Sequence, residues 1–367
     1  MNDNTNILAV SVYFVWQWWE EHYQKTRGRP DTIDMDWLDE TYLGRQCFLH
    51  QHLGQSGVGS ANPVLDRSFV SRVMPFHTMI VPVILGMEIA IQEIGGYTWK
   101  SMPPEQLQKL EPVDIAQTAV GDLIAEQKQE RLNRYGLATQ MIDLASVSNN
   151  AFMLRGVEFY SDLIVDQALA HHYLQVLAET MCMTYRFVTG LFGPIKGFPL
   201  GNCNVTMMSP QLYAKMIRQY DIQCVEYAAS LAGKPPHCDL HHCDVKTEPF
   251  AQAYSEIPGL HSLQGSYESD IAQIQRVLPD VLFSAMISPV DLLNKPAAQL
   301  HHDIDHCIAA GANDLAIWNI DPQFGPARVR ELFSLITKIA ARCGKTAKFT
   351  VVPLTWEEMA WEFPTYL

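Results

Sequence analysis

The sequence predicts an α/β fold in which eight parallel strands, each followed by a helix, close into a (β/α)8 TIM barrel. From about residue 76 onward, short apolar runs alternate with longer segments of helical period, as repeated β-α units do. No glycine-rich phosphate loop follows the first strand, which argues against an open nucleotide-binding sheet. A chain of 367 residues is within the size of one barrel, although length alone also permits two domains.

Each element has its own sequence signal. Apolar runs bounded by turn residues predict strands at residues 76–83, 138–144, 203–208, 237–243, 259–263, 282–287 and 314–320. Helical periodicity predicts helices at residues 161–190, 210–232, 270–277, 299–310 and 326–343. Prolines at the first helical position, in Ser209-Pro210 and Gly325-Pro326, support two of the helix starts. Residues 7–16 predict a further buried strand or helix, and residues 193–201 predict a long loop.

Composition narrows the functional classes. A hydrophobic fraction of 48% with 18% charged residues is typical of a globular enzyme with a large core. The net charge of −14, without any basic run, argues against nucleic acid as a partner. The eight cysteines are too scattered for a disulfide scaffold, which indicates reduced thiols and a cytoplasmic protein. The apolar stretch at residues 7–16 is too short to cross a bilayer, so no membrane partner is expected.

The most informative segment is residues 237–244, which holds three histidines, two cysteines and two aspartates. In a strand, side chains two apart point to the same side, so His241 and Cys243 would face one way and His242 and Asp244 the other. Thiolate sulfur and imidazole nitrogen are preferred zinc ligands. A lone cysteine or histidine is more often a core residue, but a His-x-Cys pair at the end of an apolar strand favours a metal site.

The remaining ligands must come from elsewhere in the fold. In a barrel of this kind the active site lies at the carboxyl ends of the strands. The residues at or near the predicted strand ends are Cys203, His241, Cys243, His261 and Asn319. Because one strand cannot complete a tetrahedral zinc site by itself, a ligand from another strand is expected.

Four segments resemble the uroporphyrinogen decarboxylase superfamily, in the same order and spacing. They are Phe76-His77-Thr78-Met79 with the residues up to 89, Leu154-Arg155-Gly156-Val157-Glu158-Phe159 with Asp162, Met208-Ser209-Pro210, and Leu240-His241-His242-Cys243. Together they cover roughly residues 70–340. The resemblance implies a uroporphyrinogen decarboxylase-type TIM barrel over residues 71–367, with residues 1–70 as an N-terminal extension packed on the barrel.

This superfamily has two main branches. The decarboxylase branch carries an R-Q-A-G-R-Y motif and an aspartate in an F-S-D segment; here the motif is absent and Thr78 stands in the aspartate's place. The other branch consists of zinc-dependent methyltransferases that move a methyl group between a corrinoid protein and a thiol, such as coenzyme M, or a folate. Its H-x-C signature matches His241 and Cys243, whereas the position of its last-strand cysteine falls near Asn319.

The methyltransferase branch resembles this chain more closely. The resemblance implies Zn²⁺ bound by His241 and Cys243, methylcobalamin carried on a partner corrinoid protein, and a small thiol or a folate as acceptor. The third ligand stays open. Cys203 ranks first because a thiolate suits zinc, Asp321 is next as an anionic oxygen ligand, and Asn319 is best aligned but binds weakly as a neutral amide.

Other residues of the same chemistry have secondary roles in this interpretation. His261 is a further ligand candidate, whereas Cys307 lies in mid-helix and predicts a core residue. Cys238 and His242 would orient the ligands through hydrogen bonds. Asp244 would orient His242 or cap the next helix.

Two other functions fit the same residues: a metal-independent lyase that acts on a different acid, and a metal- or corrinoid-binding accessory protein without catalysis. Arg155 would bind a substrate anion or form a salt bridge with Glu158 or Asp162. The aromatic cluster in residues 16–23 would line a pocket or, more in keeping with its spacing, pack internally or against a partner subunit. The sequence assigns no catalytic residue beyond the metal ligands, and it is compatible with a homodimer.

Overall fold

The fold is given by a computed structural model that describes residues 6–23, 34–73, 75–91, 97–141, 143–195, 197–243, 246–355 and 358. The chain divides into two compact units. The first unit comprises residues 1–70, 244–248 and 264–361, and the second comprises residues 71–243, 249–263 and 362–367. The residues that the sequence analysis places nearest a metal, His241, Cys243 and Cys203, all belong to the second unit.

The bounds of the strands and helices establish an α/β fold. The strands are β1 (Ile7–Phe14), β2 (Arg72–Val73), β3 (Ile89–Ile91), β4 (Tyr97–Trp99), β5 (Thr139–Gln140), β6 (Phe198–Asn202), β7 (Cys238–His242), β8 (Leu260–Ser266), β9 (Leu282–Ile287), β10 (Asp314–Ile320) and β11 (Thr346–Val351). The helices are α1 (Trp16–Tyr23), α2 (Met35–Leu53), α3 (Arg67–Val70), α4 (Ile80–Ile84), α5 (Pro104–Leu107), α6 (Ala119–Tyr135), α7 (Val147–Arg155), α8 (Glu158–Val165), α9 (Gln167–Phe192), α10 (Pro210–Met216), α11 (Arg218–Ala232), α12 (Ala251–Tyr254), α13 (Ile271–Val277), α14 (Pro289–Asn294), α15 (Ala297–Ala309) and α16 (Pro326–Arg342).

In the first unit the hydrogen-bonded strand order is β11-β1-β10-β9. Strand β1 pairs in parallel with both β10 and β11, and β10 pairs in parallel with β9. The apolar stretch at residues 7–16 is therefore a buried strand over most of its length, as one of the two alternatives predicted. Its neighbouring aromatic residues are core residues, because Phe14 stacks on Trp18 at 3.9 Å and Trp18 and Trp19 are fully buried.

In the second unit β6 and β7 pair in parallel, with Gly201 opposite His241 and Asn202 opposite His242. Leu200 and Leu240 are buried on this pair, so the apolar alternation of both strands has one face in the core. Two short sheets accompany them: β2 pairs in parallel with β5, and β3 pairs antiparallel with β4. The α/β class and the parallel pairing that the sequence predicts are confirmed, and closure of the strands into a barrel stays a prediction.

The strand predicted at residues 76–83 is wrong. A turn of 3-10 helix at His77–Met79 and helix α4 occupy it. The first four residues of α4, Ile80 to Val83, are buried, and an apolar run of that length does not distinguish a buried helix from a strand. Pro82 is tolerated there because the first backbone N–H groups of a helix have no intrahelical partner.

The strand predicted at residues 203–208 is also wrong. The strand is β6, which lies within and just beyond the predicted loop at 193–201, and a 3-10 turn at Val205–Met207 follows it. Pro199 and Gly201 are turn residues in most contexts, and they conceal this strand from a pattern analysis. The strand predicted at 138–144 shrinks to the two residues of β5.

The remaining elements follow the sequence more closely. Strands β9 and β10 have the predicted bounds, and β7 and β8 differ from theirs by a few residues. The helix predicted at 161–190 is divided into α8 and α9 at Asp166, whose carboxylate accepts a hydrogen bond from the Leu169 N–H and caps α9. Ser209 caps α10 in the predicted way, its hydroxyl accepting from the Leu212 N–H at 3.1 Å. Among the described helices, none combines the length and the apolar character that a bilayer crossing requires.

Candidate metal centre

The structure brings together Cys203, His241 and Cys243. Their ligand atoms, the two sulfurs and an imidazole nitrogen, all lie within 4.8 Å of one another, and the three side chains are half-buried. The strand register explains this. Because Asn202 and His242 are paired at the ends of β6 and β7, the residues that follow them, Cys203 and Cys243, leave the sheet at the same edge.

The alternation along β7 separates the ligand candidates from the core. His242 is fully buried, and its Nδ1 lies 2.7 Å from the hydroxyl of Tyr254, whereas His241 is half-buried on the other face. Burial, together with the positive charge of His241, lowers the pKa of His242 to about 4, so its ring is neutral at physiological pH. The opposite orientation of these two histidines confirms the prediction. The corresponding prediction for Asp244 lies outside the described residues.

Cys203 has the electrostatic surroundings of a metal-binding thiol. A hydrogen bond with Cys243 lowers its pKa most, further hydrogen bonds with His241 and Asn149 and the charge of His241 add to this, and burial opposes them. The net result is a pKa well below that of a free thiol, which favours the thiolate, the form in which cysteine binds metals.

A buried polar network supports the end of β6. The side-chain oxygen of Asn202 accepts from the Ser148 hydroxyl at 3.2 Å, and its amide nitrogen lies 3.4 Å from the Tyr213 hydroxyl. That hydroxyl donates to Asp221 at 2.8 Å, and the same carboxyl accepts from the Val147 N–H at 3.4 Å. Asp221 is fully buried, and desolvation raises its pKa to about 7 despite these hydrogen bonds. The residue that precedes Cys203 is thus fixed by internal hydrogen bonds.

The sequence pattern does not reveal most of the residues around the three candidate ligands, but it does indicate Asp221. Asp221 lies on the same face of α11 as the buried residues Cys224, Val225 and Ala228, which follow it at helical spacing. An acidic residue on an apolar helix face predicts a buried carboxyl with hydrogen-bond partners. Asn149 carries no comparable signal, because its contacts depend on residues distant in sequence.

Two other proposed ligands, Asn319 and Asp321, belong to the first unit. Asn319 is exposed in β10 with a left-handed φ of 59°, and the carboxylate of Asp321 accepts a hydrogen bond from the Gln323 N–H at 2.8 Å. Among the described residues, Asp321 does not join a cluster of ligand atoms as Cys203 does.

The predicted position of His261 at a carboxyl strand end is wrong. It is the second residue of β8, is exposed, and packs against His237 with ring centroids 4.6 Å apart. Cys307 is buried in α15, as predicted for a core residue, and burial raises the pKa of its thiol to about 12. Cys238, at the opposite end of β7 from the ligand candidates, is fully buried, and burial also raises its pKa. Both thiols therefore belong to the hydrophobic core.

Arg155 forms the salt bridge that the sequence allows. Its Nε lies 2.8 Å from Oδ2 of Asp162 and its Nη2 lies 3.4 Å from Oδ1, with both side chains largely buried. The Tyr173 hydroxyl donates to the same carboxylate at 3.4 Å. This guanidinium therefore has an internal anion as its partner, which accounts for its position without a substrate.

Similarity to known proteins is found among solved structures. No family model matches the sequence, and no curated protein matches it. Among solved structures, a methyltransferase from Methanosarcina mazei is similar with a TM-score of 0.59 and 14% sequence identity, over 94% of this chain and 95% of that one. A protein described as a vitamin-B12 independent methionine synthase from Listeria monocytogenes is similar over 93% of this chain and 99% of that one, with 10% identity and a TM-score of 0.47.

The first of these similarities supports a fold like that of the TIM-barrel proteins. At 14% identity it shows the fold alone, because folds of this kind carry many unrelated activities. The second TM-score is too low to bear on the fold.

Proposed function

We propose that this protein is a zinc-dependent methyltransferase that moves a methyl group between a corrinoid protein and a thiol or folate acceptor. The observation that carries the proposal is the convergence of Cys203, His241 and Cys243 within 4.8 Å. His241 lies in β7, whereas Cys243 and Cys203 directly follow β7 and β6, so two neighbouring strands bring in the ligands that a zinc site needs. His241 and Cys243 also match the H-x-C pattern of the corrinoid-linked methyltransferases.

The donor set fits zinc. Two thiols and one imidazole are a ligand set found in catalytic zinc sites, where three protein ligands leave a position for substrate. When bound, zinc would supply Lewis acidity and would lower the pKa of a coordinated acceptor thiol. In this proposal His241, Cys243 and Cys203 hold the metal, and Cys203 stands in place of the last-strand cysteine of the resembling family.

The wider setting belongs to the same proposal. The strands would close into a uroporphyrinogen decarboxylase-type barrel over residues 71–367, with residues 1–70 as an extension. Methylcobalamin would be carried on a separate corrinoid protein, which suits a chain whose sequence contains no segment recognisable as corrinoid-binding. We place the protein in the reducing cytoplasm, as its eight cysteines, none of them in a disulfide, suggest.

Metal content of the purified chain tests the first step. We expect about one zinc per chain, and a large loss of zinc in His241→Ala, Cys243→Ala and Cys203→Ala. Cys343→Ala is the matched control, since Cys343 is equally half-buried but outside the cluster, and it should retain zinc. Full zinc content in Cys203→Ala, with loss in Asp321→Ala, would replace the proposed third ligand.

Methyl transfer tests the second step. Methylcobalamin serves as donor, with coenzyme M and tetrahydrofolate as alternative acceptors, and demethylation is followed by the absorbance of the cobalamin. We expect transfer to one acceptor by the zinc-loaded protein and a loss of transfer in His241→Ala. Full activity in metal-free protein contradicts the proposal, whereas tight zinc binding without transfer to either acceptor would favour an accessory role.

A further inference from the structure

Cys203 and Cys243 each directly follow a buried polar residue at the end of a strand. Asn202 is the last residue of β6 and His242 the last of β7, and the two lie opposite each other in the strand register. Both side chains are fully buried. Because burying an amide or an imidazole costs free energy unless new hydrogen bonds replace those with water, a polar pair at this point needs partners.

Each of these side chains reaches a tyrosine on a helix that follows its own strand. The amide nitrogen of Asn202 donates to the hydroxyl of Tyr213, in α10, at 3.4 Å. Nδ1 of His242 lies 2.7 Å from the hydroxyl of Tyr254, in α12. The tyrosine lies 11 residues after the strand end in the first case and 12 in the second. The two β-α units therefore repeat one arrangement: a buried polar residue, a cysteine, and a tyrosine that holds the polar residue.

The two tyrosines are themselves fixed in the core. Tyr213 and Tyr254 are fully buried, and their rings pack edge to face with centroids 5.5 Å apart. The Tyr213 hydroxyl donates to Asp221 at 2.8 Å, so its oxygen can accept from Asn202. The other ring nitrogen of His242, Nε2, has no hydrogen-bond partner among the described residues, so the Tyr254 hydroxyl is the polar group that orients this ring.

These contacts affect the cysteines through the backbone. A buried network whose polar groups are all paired favours one arrangement of its residues, because any other arrangement leaves some of these groups without partners. Asn202 and His242 are the last paired residues of β6 and β7, so their positions determine where each chain leaves the sheet. The next residues along the chain are Cys203 and Cys243.

We propose that Asn202 and His242 are positioning residues of the metal centre. Held by their tyrosines, they fix the ends of β6 and β7 so that the sulfurs of Cys203 and Cys243 lie together. This inference rests on the proposed function, because it assumes that both sulfurs bind zinc. Removal of a group that orients a metal ligand commonly lowers metal affinity by roughly 10–100-fold. Because these groups act through the backbone, we expect about 10-fold, the lower end of that range.

Removal of one hydroxyl at a time tests the inference with little change of shape. Tyr213→Phe and Tyr254→Phe each keep the aromatic ring and remove the partner of a strand-end residue. Zinc affinity, measured by competition with a chromophoric chelator, should fall by roughly 10-fold in each variant. Thr184→Val is the matched control, since it removes an equally buried hydroxyl whose hydrogen bond, to the Thr180 carbonyl, lies within α9. The control should change zinc affinity by less than about 3-fold.

A spectroscopic measurement distinguishes positioning from a general loss of stability. With Co²⁺ in place of zinc, sulfur-to-cobalt charge-transfer absorption reports how many thiolates are bound. Wild type and Thr184→Val should show the absorption of two thiolates, whereas Asn202→Leu and His242→Leu should show weaker absorption. A purely structural role would lower the thermal unfolding midpoint of these variants and leave the cobalt absorption of the folded protein unchanged. If the leucine variants do not fold, the two phenylalanine variants decide by the same absorption.

Failure of the inference is distinct from failure of the proposed function. If Cys203→Ala and Cys243→Ala bind zinc as tightly as wild type, neither sulfur is a ligand, and both the proposed zinc site and the inference are overturned. If these two variants bind weakly while Tyr213→Phe and Tyr254→Phe retain wild-type affinity and two-thiolate absorption, the inference alone is overturned.

Discussion

Replacement of Asp221 by asparagine should remove a pH dependence from the stability of the protein. The carboxyl is fully buried, and desolvation raises its pKa from 3.8 to about 7. A shift of about 3 units corresponds to about 4 kcal/mol between the two protonation states, at about 1.4 kcal/mol per unit. Asparagine has nearly the same shape and can satisfy both the Tyr213 hydroxyl and the Val147 N–H without ionising.

The direction follows from the proton balance. In the unfolded chain this carboxyl ionises near pH 3.8, whereas in the folded protein it keeps its proton up to about pH 7. Between these values the folded state binds more protons, so its free energy of unfolding falls as the pH rises and levels off above about pH 7. Asp221→Asn should lack this contribution, and the variant should gain on wild type by up to about 4 kcal/mol across the range.

Urea unfolding of wild type and Asp221→Asn, at intervals from about pH 4 to about pH 8, measures this difference. Asp280→Asn, at an exposed position, is the control and should follow wild type at every pH. The reasoning is refuted if the difference in unfolding free energy between wild type and Asp221→Asn stays constant over the whole range.

Two further predictions concern the second unit. Arg155→Met should lower the free energy of unfolding by roughly 3 kcal/mol, measured by urea unfolding, because it leaves the carboxylate of Asp162 largely buried without its cation; an unchanged unfolding midpoint would contradict this. Gly259→Ala should lower the thermal midpoint well below that of Gly233→Ala. Both glycines have a left-handed φ, but a new Cβ at Gly259 would collide with the backbone carbonyl oxygen of Pro236, whereas a new Cβ at Gly233 would have nothing within 4 Å. Equal midpoints for the two alanine variants would show that the backbone at Gly259 moves aside.

The sequence predicted correctly those elements in which the hydrophobic pattern agrees with the burial of the residues in the fold. Strands β9 and β10 have buried apolar residues between clear turn signals, and their bounds were predicted correctly. Strand β6 and helix α4 contain Pro199 and Pro82, whose effect depends on their position within the element. Local sequence does not specify that position, so one strand was missed and one helix was predicted to be a strand.

The site could be predicted in part for a similar reason. His241 and Cys243 were identified because the period of a strand relates them directly. Cys203 was ranked first because a thiolate suits zinc and because it precedes the helix start at Ser209-Pro210. Nothing local shows that β6 pairs with β7 in the register that brings the two strand ends together. Asn149 was not identified, because its hydrogen bond from the Asn204 N–H depends on the approach of α7 to a segment distant in sequence.

The register between β6 and β7 has a consequence for how this site can vary. Successive strand residues face opposite sides, so an insertion or deletion of one residue within Phe198–Asn202 would reverse the side to which each following residue is directed. Such a change would direct the Cys203 sulfur away from the His241 imidazole even though all three candidate ligands were still encoded. The spacing between Phe198 and Cys203 therefore matters to the cluster as well as the identities of the three candidate ligands, whereas an insertion beyond the 3-10 turn at Val205–Met207 would not change this spacing.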